Sequence, residues 1–103
     1  MGYKTQHKVV LSNIAWAAAA ERAVLENTSA SQLCEHVLTH YVDLEAADRP
    51  APSRQKVHKS GRMRTVYVDK FVWAQVAGLK ILEGRPISAI LEQLLRAYCG
   101  LAR

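Results

Sequence analysis

Residues 65–99 read TVYVDKFVWAQVAGLKILEGRPISAILEQLLRAYC, and this stretch decides the fold. Its start, with Met63 and Arg64 before it, is rich in β-formers with a period of two, which predicts a strand over 63–68. Asp69 follows where a helix N-cap belongs. Val72, Trp73, Val76 and Leu79 then recur on one side of a helix. Gly84 marks the left-handed stop at its end. Pro86 opens the next helix, where its missing N–H costs nothing. Ile87, Ile90, Leu91, Leu94, Leu95 and Tyr98 form the apolar stripe of that helix. The order is strand, helix, helix.

Fifty-seven positions upstream the plan recurs without a gap. Residues 8–42 read KVVLSNIAWAAAAERAVLENTSASQLCEHVLTHYV, and ten positions are identical, among them Trp16/Trp73, Ser31/Ser88, Glu35/Glu92 and Tyr41/Tyr98. Chance supplies two or three such matches, so the chain is read as an internal repeat. Here the strand is 6–11, Ser12 is the N-cap, and 14–26 is the first helix. Asn27 replaces the glycine, and Asn is the next-best residue at a left-handed stop. Ser29 caps a second helix whose stripe is Ala30, Leu33, Cys34, Val37, Leu38 and Tyr41. Between the copies, residues 43–62 hold Pro50, Pro52, Ser53, Ser60 and Gly61 with almost no bulky apolar side chain, and read as a linker.

Neither copy can stand alone. About forty residues bury too little surface, and a lone strand leaves its backbone groups unpaired. Together they solve both problems. The expected fold is mainly α, with one two-stranded antiparallel ribbon made by 6–11 and 63–68. Residues 1–42 and 63–103 form two units around one core, and the linker keeps them at high effective concentration.

The whole chain has 103 residues, 50% of them hydrophobic and 22% charged, a globular balance. No apolar run reaches the length of a membrane span, and no leader pattern opens the chain. The formal net charge is +5, which makes nucleic acid or an acidic surface the default class of partner. The run from Arg54 to Arg64 carries Arg54, Lys56, Lys59, Arg62 and Arg64 with no acid, and reads as a phosphate-contacting arm leading into the ribbon.

Strand 63–68, the V-D-x-x-V-W start, the E-G-R turn and the S-A-I-L-E second helix resemble ribbon-helix-helix DNA-binding units, the family of the Arc, MetJ and CopG repressors. The first copy is a degenerate match: Asn27-Thr28 replaces Gly84-Arg85, and Arg22 stands at the position of Leu79. The two copies cover about two thirds of the chain. Most family members are homodimers of one unit. A tandem pair is similar in arrangement to single-chain variants among conjugative-plasmid and T-DNA transfer accessory proteins. The resemblance implies two ribbon-helix-helix units forming an intramolecular pseudo-dimer, with double-stranded DNA as partner and a role in transcription regulation, plasmid partition or DNA transfer.

Side chains alternate across a strand. Val9, Leu11, Val66 and Val68 are therefore expected to face the helices, leaving Gln6, Lys8, Val10, Met63, Thr65 and Tyr67 outside. In the family these six positions read bases in the major groove. Lys8 suits guanine, Gln6 suits adenine, Thr65 suits either, and Val10 or Met63 suits a thymine methyl. Because the two triplets differ, the expected site is asymmetric. The second helices would aim backbone N–H groups at phosphates from Ala30 and Ser31 in one unit and Ile87 and Ser88 in the other, with Ser29 and Arg85 beside them.

Other chemistries are thinly represented. His36 and His40 lie four apart with Cys34 near, a spacing that suits zinc, but no third ligand shares their face. Trp16 and Trp73 read as shared core or surface shelf, and Cys34 and Cys99 as small buried hydrophobes in a reducing cytoplasm. No phosphate loop or nucleophile–base set occurs, so no enzyme activity and no cofactor are expected. The rival class is a protein-interaction module, an antitoxin or recruitment factor with mainly non-specific DNA binding. Other DNA-processing proteins, and further copies of the chain on DNA, are conceivable partners.

Overall fold

The computed structural model describes residues 4–45, 48–49 and 61–101. The element order is β1 (Lys4–Leu11), α1 (Asn13–Leu25), α2 (Ala30–Asp43), β2 (Arg62–Asp69), α3 (Lys70–Glu83) and α4 (Ile87–Tyr98). The chain is thus mainly helical, with one two-stranded antiparallel sheet. Among the described residues no helix is long and apolar enough to cross a membrane.

Both strands outrun the expected spans. Pairing extends from Lys4 opposite Asp69 to Leu11 opposite Arg62. The alternating apolar signal marks only the part of each strand that touches the core, whereas backbone pairing continues to the helix caps. The span between the units shrinks accordingly, since Asp43 closes α2 and Arg62 opens β2. Register centres on Lys8 opposite Thr65, which are also equivalent residues of the repeat.

The inner face of the ribbon is apolar. Val9, Leu11, Val66 and Val68 are buried against Leu33, Cys34, Val37 and Leu38 of α2, Leu91 and Leu95 of α4, Ala19 and Val76. Each large side chain so covered contributes about 1.5–3 kcal/mol. Trp16 and Trp73 are half-buried at the margin of this core.

Local chemistry sets the helix ends. Ser12 Oγ accepts from Ala15 N–H, and Asp69 Oδ1 accepts from Phe71 and Val72 N–H. Ser29 and Gln32 make a reciprocal capping box at α2. Asn27 and Gly84 both take positive φ, 58° and 65°, at the turns that follow α1 and α3. Two expectations are corrected. Pro86 is the N-cap of α4, with extended ψ, not its first helical residue. Cys99 is only half-buried, because it lies at the C-cap where α4 leaves the core.

Candidate nucleic-acid interface

Alternation delivers the six expected reading residues to one side. Gln6, Lys8, Val10, Met63, Thr65 and Tyr67 are all exposed, while the residues between them are buried or half-buried. Register joins them into three cross-strand pairs: Gln6 with Tyr67, Lys8 with Thr65 and Val10 with Met63. Among the described residues no side-chain bond consumes Lys8 or Gln6 in the way that Glu35 holds Lys4, at 3.0 Å.

A scaffold of bonds between the repeated units holds this face in place. Val10 N–H donates to Ser88 Oγ at 2.9 Å, and the equivalent Tyr67 N–H donates to Ser31 Oγ at 2.8 Å. Ser12 N–H donates to Glu92 at 2.9 Å, and the equivalent Asp69 N–H donates to Glu35 at 2.7 Å. Farther from the ribbon, Tyr98 O–H donates to Glu26 at 2.8 Å and Tyr41 O–H to Glu83. Each bond runs from one copy to the other and recurs at the equivalent positions. The repeat's agreement at Glu26/Glu83, Ser31/Ser88, Glu35/Glu92 and Tyr41/Tyr98 was the available signal for it, but no role followed from identity alone.

The flanks of the ribbon carry aromatic shelves. His7 stacks on Trp73, with ring centroids 3.7 Å apart and planes 8° from parallel. The equivalent Arg64 lies over Trp16 at 5.4 Å and donates to Asn13 Oδ1 at 2.6 Å. Burial lowers the His7 pKa, which favours the neutral ring on the indole.

The expected phosphate contacts are placed unequally. Ala30 and Ser31 open α2, and Ile87 and Ser88 open α4, so both helix starts lie against the ribbon. Ser31 and Ser88 use a hydroxyl lone pair on ribbon amides, and Ser29 Oγ accepts from Gln32 N–H at 3.1 Å. Arg85 differs from the expectation of a surface contact. Its side chain is only 11% exposed, ion-paired with Glu83 at 3.1 Å and bonded to Gln93. Arg64 belongs to the ribbon and its tryptophan shelf, not to an arm. Arg62 is exposed at the strand end. Lys56 and Lys59 lie outside the described residues.

His36 and His40 line a cavity of about 480 Å³ between the C-terminal halves of α2 and α4, with Tyr41, Leu44, Leu94 and Tyr98. Cys34 is buried in the core, and burial pushes its thiol up to about 12. It therefore stays protonated at neutral pH. Among the described residues no three His, Cys, Asp or Glu side chains are grouped to share a metal ion.

No protein-family model matches the chain, and neither does any curated protein or any solved structure.

Proposed function

We propose that this protein binds double-stranded DNA sequence-specifically, inserting its β-ribbon into the major groove. It acts as a transcriptional repressor or as a plasmid or DNA-transfer accessory factor, at an asymmetric site, in a bacterial cytoplasm. In this reading the chain is a tandem ribbon-helix-helix protein whose two units form an intramolecular pseudo-dimer. One observation carries the reading. Six exposed side chains of groove-reading chemistry stand as three cross-strand pairs on one face of a ribbon narrow enough for the groove. Three features support it further: a register centred on the equivalent residues Lys8 and Thr65, repeat-related bonds from each unit to the other, and helix starts on both sides of the ribbon. The net charge of +5 supplies sequence-independent attraction to phosphates, to which the arm of Lys56, Lys59 and Arg62 adds.

The test is fluorescence anisotropy on duplexes selected from a random pool. Lys8→Ala and Thr65→Ala should each cost about 1–3 kcal/mol at particular base pairs and little elsewhere. Equal loss on every sequence overturns base reading. That outcome favours the second reading, an interaction module with mainly non-specific DNA binding. One observation speaks for it: Val24 and Leu25 on α1, and their equivalents Ile81 and Leu82 on α3, are 78–82% exposed. Such paired apolar ends suit contact with a partner protein.

A further inference from the structure

The register fixes which reading residues act together. Gln6 stands opposite Tyr67 at one end of the outer face, Val10 opposite Met63 at the other, and Lys8 opposite Thr65 between them. Under the repeat, Gln6 corresponds to Met63 and Val10 to Tyr67. Two identical units would therefore place the same pair at both ends. Here one end carries a carboxamide and a phenol. The other carries an isopropyl group and a thioether, 38% and 65% exposed.

We infer that the ribbon is chemically polarised along its length: the Val10–Met63 end reads thymine 5-methyl groups, and the Gln6–Tyr67 end reads hydrogen-bonding base edges. The inference rests on the major-groove reading proposed above. The thymine methyl is the one apolar group on that groove floor. Valine and methionine gain contact area there. Pressed against a cytosine amino group or a guanine carbonyl, they strip water from a polar atom and return no hydrogen bond, which costs free energy. This end is therefore selective by attraction and by penalty. At the other end Gln6 can pair bidentately with adenine, and the Tyr67 hydroxyl can donate or accept.

The two ends are well held. Val10 and Tyr67 are the ribbon residues whose N–H groups are tied to Ser88 and Ser31. Four residues of strand separate position 6 from position 10, about 13 Å at the usual rise. That distance corresponds to about four base pairs. The protein consequently has one preferred direction on its site.

The experiment uses the full chain and a duplex selected from a random pool, with each thymine replaced in turn by deoxyuridine. The replacement deletes the 5-methyl group and keeps every hydrogen-bonding atom. Affinity should fall about fourfold for each contacted methyl, and only at one end of the site. In the Val10→Ala/Met63→Ala variant that fall should vanish, while base changes at the opposite end keep their cost. Gln6→Ala should show the reverse pattern. Methyl sensitivity shared by both ends, or unchanged in the double variant, overturns the polarity. So does a selected duplex indifferent to deoxyuridine throughout. Failure to select any preferred duplex overturns the base-reading proposal itself. Both side chains lie outside the core, and a melting curve by circular dichroism verifies that the variants fold.

Discussion

Glu92 shows how much one side chain holds. It accepts from Ser12 N–H at 2.9 Å, from Ser12 Oγ at 2.7 Å and from Arg96 Nε at 2.7 Å, while itself buried. Burial pushes its pKa up, but the Ser12 hydrogen bonds, with Arg96, outweigh it and leave the carboxyl below its ordinary value of 4.5. A lowered folded-state pKa means stability that is complete above the unfolded value and lost as pH falls through the folded one. Urea unfolding should therefore show stability declining below about pH 4.5, with a shallower decline in Glu92→Gln. At neutral pH that variant should lose about 2 kcal/mol, since a charged acceptor of three bonds is replaced by a neutral one. Glu35, its equivalent, receives Asp69 N–H and pairs with Lys4. The two glutamates thus hold opposite ends of the ribbon.

Among the elements, the turns were the most legible part of the chain. A left-handed stop has a residue signature, so Gly84 and Asn27 could be placed from sequence, and the backbone takes positive φ at both. Gly84→Ala should cost about 1 kcal/mol through that backbone alone, because an added Cβ meets nothing within 4 Å. Thermal melts of the variant against the parent chain measure it. Strand facing was equally legible, since Val9, Leu11, Val66 and Val68 can be satisfied only inward. The inter-unit bonds were not. At the ribbon their acceptors are side chains, but their donors are backbone N–H groups of the other copy, and a backbone amide leaves no mark in the sequence. Arg85 was hidden for a related reason. Glu83 is its near neighbour, but the carboxamide of Gln93 and the hydroxyl of Tyr41 converge on it only after α2 and α4 pack.

At the scale of the whole molecule, the intramolecular pairing proposed for the two units has a thermodynamic signature. A core completed within one chain melts at a temperature independent of protein concentration, whereas one completed between chains melts higher as concentration rises. Calorimetry over a hundredfold concentration range, with light scattering giving the mass of one chain, is the expected pattern; a rising melting temperature would instead mark units exchanged between chains. The bonds at Ser31, Ser88, Glu35 and Glu92 carry one more consequence. A two-stranded sheet has two open margins, and each normally invites a foreign strand to add itself. Here the outward amides of Val10 and Ser12 on one margin, and of Tyr67 and Asp69 on the other, are already engaged by helix side chains. An incoming strand on either margin meets two amides that are already bonded, one of them in a buried or part-buried contact, so the fold that exposes the ribbon also guards it against stacking into fibrous aggregates.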